Sequence, residues 1–220
     1  PSLQGGGAER VIVSLLCNLD RKKYHLAIAV VDMRGSIFAT DLPKDVEIIN
    51  LYSSRVRYAI IKIICLIWRR RPDVVFSTLG HLNLALAMAR PFLPNGVRYV
   101  ARETIVVSSL SDGYSIPVWW GWAYRHFYNQ FDTVVCQSQD MRTDLILNYG
   151  LLKEKVVVIN NPIDLDLVKR ASREDVALAT TKFDLKDKNA IYLLAVGRLT
   201  KQKGFDLLIE AISLCDNDRL

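Results

Sequence analysis

The sequence predicts a doubly wound α/β fold, in which parallel strands alternate with helices. Two patterns carry this prediction. Six short apolar runs rich in Val and Ile recur along the chain, and such runs are typical of parallel strands buried on both faces. Between them lie longer stretches with apolar residues at helical spacing. No repeat of solenoid length interrupts the alternation.

Each strand and helix can be placed in chain order. The predicted strands cover residues 26–31, 46–51, 73–78, 97–101, 132–137 and 155–160. The predicted helices cover residues 8–19, 56–70, 82–89, 117–131 and 140–149. In the first helix, Val11 and Leu15 lie one turn apart on the same face. Gly150 follows the last helix, where a glycine commonly ends a helix.

The composition of the chain changes near residue 165. Residues 165–188 are polar and charged and contain no strand pattern. We therefore expect residues 1–170 to form one domain and residues 171–188 to form a linker. A new apolar run at 190–197 and an amphipathic run at 205–214 then predict a strand and a helix. Residues 189–220 are expected to begin a second α/β domain.

The overall charge favours anionic partners. The net charge is +6 and the isoelectric point is about 9.2, which suits phosphates, nucleic acid or acidic membrane surfaces. A mildly basic cytosolic enzyme is the simpler interpretation of this charge. The four cysteines match no zinc spacing, and a reducing compartment is expected. Cys17, Cys65 and Cys136 lie in apolar runs and are expected to be buried thiols. Nucleic acid is not an expected partner, since basic and aromatic residues do not alternate along the strands.

A glycine-rich loop opens the chain. Gly5, Gly6 and Gly7 directly precede the first predicted helix. Glycine allows a ligand to approach the backbone closely, and the start of a helix offers free N–H groups to an anion. The spacing matches neither the dinucleotide-binding pattern nor the Walker pattern. The alternative is a flexible turn before an ordinary helix.

A basic loop follows the last predicted strand. Gly197 ends that strand, Arg198 and Lys203 lie in the loop, and Gly204 opens the next helix. In open α/β sheets, ligands bind beyond the carboxyl ends of the strands, where two cations and a helix start can hold a phosphate. The alternative is a solvated basic turn, since Lys201 lies in the same loop.

Three motifs together resemble glycosyltransferase family 4, whose members have the GT-B fold. They are the opening glycine loop in PSLQGGGAERV, the run QSQDMRTDLILNYGLLKEKVVVINNPIDL with its Asn-Pro-x-Asp end, and the basic loop in GRLTKQKGFDLLIEA. The resemblance covers nearly the whole chain. It implies two Rossmann-like domains that face each other across a cleft. The first would lack its first strand in this sequence, and the second would be represented only by its beginning.

The resemblance also implies an activity. It is the transfer of a sugar, with retention, from a nucleoside-diphosphate sugar to a glycan or lipid-linked acceptor, in the synthesis of a cell-surface polysaccharide, lipopolysaccharide or glycolipid. Arg198 and Lys203 would bind the donor diphosphate, and Gly5, Gly6 and Gly7 would border the donor phosphates and the acceptor. Because fixed cations can neutralise the departing diphosphate, neither a metal nor a cofactor is expected. The expected donor is a UDP- or GDP-sugar.

Four further residues are candidates for catalysis and acceptor binding. Many family members have a His where this sequence has Arg102 and Glu103. Glu103 is a candidate to orient or deprotonate an acceptor hydroxyl, and the alternative is a loop salt bridge with Arg102. His81 and Asn83 follow the third predicted strand and are candidates to contact acceptor hydroxyls. The alternative for His81 is a structural role in capping the helix.

The resemblance implies a cytoplasmic protein, with peripheral binding to the inner membrane leaflet as a hypothesis. Residues 55–73 and 115–131 combine apolar or aromatic side chains with cations, which suits an anionic membrane surface. The alternatives are a buried crossover helix and core packing. The apolar run at residues 58–68 is too short to span a membrane, which takes about 20 residues.

Two other functions stay open from the sequence. A nucleotide-sugar epimerase shares the fold, although the Gly-Gly-Gly-Ala-Glu-Arg opening argues against it. A basic α/β module without enzymatic activity would bind nucleic acid or membranes with a steep salt dependence. The resemblance also implies that later acidic residues of the donor site lie beyond this sequence, so residues 1–220 alone are expected to be inactive.

Overall fold

A computed structural model describes residue 3 and residues 5–109, 119–172 and 191–215. It divides the chain into two compact units. Unit 1 runs from Pro1 to Pro162, and unit 2 runs from Ile163 to Leu220. The division lies before residue 170, the expected end of the first domain.

The described part of unit 1 contains all six strands predicted before residue 165, and every strand pair described there is parallel. Strands β1 (Ala27–Val30) and β2 (Glu47–Asn50) form one pair. The other four strands form a sheet in the order β3, β4, β5, β6. Their bounds are Val74–Thr78, Arg98–Arg102, Thr133–Cys136 and Val156–Val158. The prediction of a parallel α/β fold is confirmed, although the described strands form two hydrogen-bonded sheets.

The register of the larger sheet aligns the carboxyl ends of its strands. Thr78 of β3 lies opposite Arg102 of β4, which lies opposite Val135 of β5. Cys136 of β5 lies opposite Val158 of β6. Residues that directly follow these strands therefore meet along one edge of the sheet, where folds of this type bind ligands.

Helices connect and cover these strands. In the described part of unit 1 they are α1 (Gly7–Asn18), α2 (Val56–Arg70), α3 (Gly80–Ala89), α4 (Trp119–Phe127) and α5 (Gln139–Tyr149). Gly150 ends α5 in the left-handed conformation with a φ of 67°, as the sequence predicts. The predicted start of the fourth helix at residue 117 lies outside the described residues. No helix in the described segments is both long enough and apolar enough to cross a membrane.

The described part of unit 1 has two buried clusters, and the larger one packs on both sheets, since it includes Val31 after β1 and Leu51 after β2. The larger cluster joins α2, α3, α4 and α5 to the four-stranded sheet, and it contains the fully buried rings of Tyr124 and Tyr128. The smaller cluster joins α1 to β1 and β2 through residues such as Ile12 and Val30. Burial of each large apolar side chain contributes about 1.5–3 kcal/mol to stability. The two clusters therefore hold the strand ends in place.

Unit 2 contains two helices in its described part, α6 (Leu165–Ala171) and α7 (Phe205–Ser213). The strand predicted at residues 190–197 is wrong over residues 191–197, which have no strand structure. Leu194 and Val196 are 85 % and 83 % exposed. A strand requires a hydrogen-bonded neighbour and a packed face, and the described residues supply neither to this segment.

The prediction that Cys17, Cys65 and Cys136 are buried thiols is correct for only one of the three. Cys136 is buried at the end of β5, but Cys17 and Cys65 are exposed. Cys65 lies on the outer face of α2, because Ile63 and Ile67 on the other side of that helix fill the core. An apolar run on a helix therefore does not bury every residue within it.

Candidate functional site

A cavity of about 600 Å³ opens at the carboxyl ends of β1, β2 and β3. Residues that follow these strands line it: Asp32 after β1, Arg55 after β2 and His81 after β3. Glu9 of α1 also lines it. A cavity of this volume suits a small ligand, and its position is the one at which open α/β sheets bind their ligands.

The charged residues of the cavity leave positive charge available to a ligand. Asp32 forms an ion pair with Arg34 at 2.6 Å, and Glu9 accepts N–H groups at the start of α1. Arg55 and Arg57 also line the cavity, and neither forms an ion pair within the described segments. Because the acids already have partners, an anionic group is the ligand that these charges favour.

The cavity wall includes a strained backbone position. Leu79, the N-cap of α3, has a φ of 82°, which bulky side chains rarely adopt. Such strain costs on the order of 1–3 kcal/mol and is concentrated at functional sites. Leu79 joins β3 to α3 and is followed two positions later by His81, so the strain lies directly beside a predicted site residue.

The predicted glycine loop leads into α1. Gly5 has a φ of 109°, which glycine adopts without strain, and Gly6 is the N-cap of the helix. The N–H groups of Gly5 and Gly6 both donate to Glu9 Oε2 at 3.0 Å. Glu9 therefore occupies two of the N–H groups that a donor phosphate would approach. Phosphate binding by Gly5, Gly6 and Gly7 stays a prediction.

A hydrogen-bonded network joins the strand ends of the larger sheet. Arg102 ends β4, is 3 % exposed, and donates to Thr78 Oγ1 at 3.2 Å and to Asn161 Oδ1 at 2.5 Å. Asn161 donates to Gln137 Oε1 at 2.9 Å, and Gln137 donates to the Glu103 carbonyl at 3.0 Å. We call Thr78, Arg102, Gln137 and Asn161 the strand-end network. It fixes the Asn-Pro segment against a buried cation.

Glu103 lies in the core. Its side chain is 2 % exposed, and its Oε1 accepts from Asn83 Nδ2 at 3.0 Å and from the Tyr128 hydroxyl. Burial raises the pKa of Glu103, and hydrogen bonds from Tyr128 and Asn83 oppose that shift. The partners of the carboxyl group are thus core residues, and its predicted contact with an acceptor hydroxyl stays a prediction.

The alternative role for Glu103, a salt bridge with Arg102, is not formed. The two residues are consecutive at the end of a strand, so their side chains point to opposite sides of the sheet. Arg102 donates to Thr78 and Asn161, whereas Glu103 accepts from Tyr128. Each side chain therefore belongs to a different network.

His81 and Asn83 both lie at the start of α3 but differ in exposure. His81 is exposed and lines the cavity, and partial desolvation by neighbouring groups lowers the pKa of its imidazole. It is therefore neutral near pH 7. Asn83 is fully buried and donates to the Arg102 carbonyl at 3.0 Å. Its predicted contact with an acceptor would require it to become exposed.

Gly80 lies where the buried hydroxyl groups meet, and a methyl group there is expected to destabilise unit 1. A Cβ atom at Gly80 would lie 2.8 Å from the Tyr124 hydroxyl oxygen. Tyr124 is fully buried, with its ring stacked on Tyr128 at 4.1 Å between centroids, so it has little room to move. Gly80→Ala is expected to lower the free energy of unfolding by about 1–3 kcal/mol, measured by urea unfolding.

Gly121→Ala in α4 provides the control for this substitution. The nearest atom to its Cβ position would be Tyr149 Cε1 at 3.8 Å, an ordinary contact. The variant is expected to match the wild-type stability or to exceed it slightly, because alanine favours a helix over glycine. Equal losses at both positions would show that the contact with Tyr124 is not the cause.

The raised pKa of Glu103 predicts a pH dependence of stability. The folded protein holds the Glu103 proton more tightly than the unfolded chain does. The stability that Glu103 contributes is therefore fully present below the ordinary glutamate pKa and is lost as pH rises through the raised value. Glu103→Gln is expected to flatten this part of a urea-unfolding profile measured over pH, whereas Glu154→Gln, at an exposed position, should keep the wild-type slope. A wild-type profile as flat as that of Glu103→Gln would contradict the shift.

The predicted pair of cations lies in an exposed turn of unit 2. Arg198 and Lys203 are exposed, and the turn Lys201–Lys203 leads into Gly204, the N-cap of α7. A Cβ atom at Gly197 would lie 3.4 Å from Lys203 Cγ, so the lysine stem lies against the backbone beside Arg198. Neither cation forms an ion pair with another described residue. The turn thus presents two cations near a helix start, and diphosphate binding there stays a prediction.

Unit 2 also contains a sequence relevant to metal binding. Asp164 and Asp166 form an Asp-x-Asp sequence at the start of α6. No metal is expected from the sequence, and that expectation does not take this pair of acids into account. Another Asp-x-Asp sequence, at residues 216–218, lies outside the described residues. Side chains two residues apart do not share a helix face. Within the part of the chain that the structure describes, no group of three His, Cys, Asp or Glu side chains could hold a metal ion.

Several residues of the site are not among the sequence predictions. Arg55 and Arg57 line the cavity, and Gln137 and Asn161 belong to the strand-end network. Gln137 ends a predicted strand, and the other three lie shortly after a predicted strand or at the start of the next helix. Polar residues at such positions are the signal that would have identified them, because the carboxyl ends of parallel strands meet at one edge.

The parallel strands and the cavity at their carboxyl ends define a Rossmann-like protein. The sequence profile of Glycosyltransferase Family 4 matches residues 5–167. The chain belongs to glycosyltransferase family 4, and the family that the motifs predict is confirmed.

Two curated relatives are similar in sequence. The chain is 27 % identical over 234 residues to the N-acetylgalactosamine-N,N'-diacetylbacillosaminyl-diphospho-undecaprenol 4-alpha-N-acetylgalactosaminyltransferase of Campylobacter jejuni, with 99 % of this chain and 58 % of that protein covered. It is 27 % identical over 89 residues to an uncharacterized glycosyltransferase of Methanocaldococcus jannaschii, with 40 % and 21 % covered. The match to the Campylobacter protein thus spans little more than half of its length.

Solved structures show the same fold. The crystal structure of HepE from Anabaena in complex with UDP matches with a TM-score of 0.67 and 19 % identity, covering 100 % of this chain and 57 % of that chain. A glycosyltransferase from Rickettsia africae matches with a TM-score of 0.70 and 21 % identity, covering 97 % and 55 %. The predicted GT-B type of α/β fold is confirmed by this likeness.

Proposed function

We propose that the protein transfers a sugar, with retention, from a nucleoside-diphosphate sugar to a glycan or lipid-linked acceptor. Membership of glycosyltransferase family 4 supports the reaction class. The observation that carries the proposal is the cavity of unit 1, in which Arg55 and Arg57 offer positive charge beside a neutral His81. An acceptor with a phosphate near its reacting hydroxyl matches both features, because the phosphate can bind the arginines and the hydroxyl can lie near the histidine.

The donor in this proposal is a UDP-sugar bound through unit 2. The Anabaena neighbour was crystallised with UDP, and Arg198 and Lys203 supply two cations beside the start of α7. Negative charge grows on the diphosphate as its bond to the sugar breaks, and preorganised cations stabilise that charge. The reaction then requires neither a metal nor another cofactor. A GDP-sugar is the alternative donor.

The acceptor in this proposal is a lipid-linked glycan. The Campylobacter relative is named for a diphospho-undecaprenol acceptor. Arginine binds phosphate oxygens through several N–H groups at once, so Arg55 and Arg57 suit the diphosphate of such a molecule. The reaction would serve the synthesis of a cell-surface polysaccharide, lipopolysaccharide or glycolipid. The protein would then act in the cytoplasm, at the inner membrane leaflet.

Calorimetry of the full-length protein with UDP- and GDP-sugars tests the donor. We expect a UDP-sugar to bind and, on addition of an undecaprenyl-diphosphate-linked glycan, to give a product longer by one sugar with the anomeric configuration of the donor. Conversion of the UDP-sugar without an acceptor would instead indicate an epimerase. Salt-sensitive binding of nucleic acid, without affinity for any nucleotide sugar, would indicate a basic binding module.

A further inference from the structure

Helix α2 exposes apolar side chains on the side that faces away from the core. Tyr58, Ile61 and Trp68 are 56 %, 70 % and 45 % exposed, and Cys65 is also exposed. These four residues are spaced three, four and three positions apart, so they form one line along the helix. The opposite face packs in the core through Ala59, Ile63 and Ile67. The exposed line is therefore additional to the face that the fold requires.

Phe92 extends this surface beyond the helix. Its side chain is 73 % exposed, and its carbonyl oxygen accepts the Trp68 indole N–H at 2.9 Å. We call Tyr58, Ile61, Cys65, Trp68 and Phe92 the α2 stripe. Neighbouring exposed aromatic and aliphatic side chains of this kind mark interaction surfaces on soluble proteins.

Cations border the α2 stripe. Residues 55–71 contain six Arg or Lys residues and no Asp or Glu. The Arg57 guanidinium lies 4.8 Å from the Tyr58 ring centroid, and that of Arg71 lies 4.4 Å from the Trp68 ring centroid. Arg70 is paired with Glu47 at 2.6 Å. Among the described residues, the other five cations of this segment form no ion pair. The excess favours an anionic partner over a neutral or basic one.

We propose that α2 docks on an anionic lipid bilayer, with the α2 stripe among the headgroups and the flanking cations on lipid phosphates. A membrane fits better than a protein partner for two reasons. Tyrosine and tryptophan combine an apolar ring with a polar atom, which suits the headgroup region. The cations flank the apolar line as they do in helices that lie flat in a membrane interface.

The position of α2 connects this surface to the cavity. Arg55 and Arg57 line the cavity and also mark the start of α2. Docking of α2 would therefore bring the cavity rim to the bilayer surface, where the headgroup of a lipid-linked acceptor lies. This consequence rests on the proposed function, whereas the docking itself does not.

Vesicle flotation of the 220-residue chain tests the docking. The wild-type chain is expected to float with vesicles of phosphatidylglycerol and phosphatidylcholine and not with vesicles of phosphatidylcholine alone. Ile61→Glu removes an apolar contact and adds a charge in the middle of the α2 stripe, so it should weaken binding about tenfold or more. Arg69→Gln removes one flanking cation and should weaken binding about fivefold. Thermal unfolding verifies that both variants fold.

Matched controls lie outside the α2 stripe. Leu147 on α5 is 75 % exposed, and Lys23 is exposed between α1 and β1, so Leu147→Glu and Lys23→Gln are expected to float like the wild-type chain. Equal losses in Ile61→Glu and Leu147→Glu, or equal flotation with neutral vesicles, would overturn the proposal. A dimer that Ile61→Glu abolishes, in the absence of vesicle binding, would overturn it as well and would assign the α2 stripe to a second copy.

Failure of this inference and failure of the proposed function give different results. If only the docking is wrong, the wild-type chain does not float, while the full-length protein still transfers sugar to a water-soluble acceptor. If only the transfer is wrong, Ile61→Glu still loses vesicle binding, while calorimetry detects no binding of a UDP-sugar to the full-length protein.

Discussion

Replacement of Arg198 or Lys203 by alanine is expected to lower kcat of the full-length protein about 10²-fold or more. Both cations are exposed in the turn before α7 and have no ion-pair partner in the described segments, so their charge is available to a ligand. The departing diphosphate gains negative charge as its bond to the sugar breaks. A fixed cation therefore stabilises the transition state more than the bound donor, and the loss falls mainly on kcat. Initial rates at saturating UDP-sugar measure this loss.

Lys201 provides the control for these two variants. It is exposed in the same turn, so Lys201→Ala removes the same charge from nearly the same place. Because solvent and salt screen an exposed charge that does not touch the ligand, this variant is expected to keep kcat within about twofold of the wild-type value. Equal losses in all three variants would indicate a general effect of positive potential. Wild-type turnover in Arg198→Ala and Lys203→Ala would show that neither cation serves the leaving group.

The strands of unit 1 could be predicted because their burial depends on local composition. A strand that is covered on both faces needs consecutive apolar residues, and each of the six predicted runs forms a strand. Their division into two hydrogen-bonded sheets could not be predicted, because it depends on which distant strands pair. The strand that the sequence wrongly predicts over residues 191–197 has the same cause. Its apolar pattern is clear, but no described strand pairs with it.

The exposed basic turn of unit 2 could be predicted because a single loop carries its signal. Arg198 and Lys203 stand out because two cations follow an apolar run and precede a helix. The surroundings of Glu103 could not be inferred in this way, since Asn83 and Tyr128 approach it from 20 and 25 residues away. An acid after a strand suggests catalysis from sequence alone. Whether it faces a ligand or the core depends on the packing of helices that are distant in sequence.

Arg102→Ala is expected to lower the free energy of unfolding of unit 1 by about 3 kcal/mol. The substitution leaves a cavity in place of a side chain that is 3 % exposed, and it removes the donor to the buried Thr78 hydroxyl. One effect acts in the opposite direction, since burial of a cation is costly and lowers the pKa of Arg102. The loss of packing and hydrogen bonding is expected to exceed the gain from removing the buried charge, because the guanidinium has neutral acceptors on Thr78 and Asn161. Urea unfolding followed by tryptophan fluorescence measures the change, as all four tryptophans lie in unit 1.

Two further variants separate the causes. Arg102→Met restores much of the lost packing but not the hydrogen bonds, so its destabilisation should be about half that of Arg102→Ala. Arg98→Ala, at the exposed amino end of the same strand, should change stability by no more than about 0.5 kcal/mol. A different result would be an Arg102→Met variant that is as stable as the wild-type protein but transfers sugar about 10²-fold more slowly. It would show that the hydrogen bonds of Arg102 in the strand-end network do not stabilise the fold. The charge of Arg102 would then act on the reaction, in keeping with its place among the candidate catalytic residues.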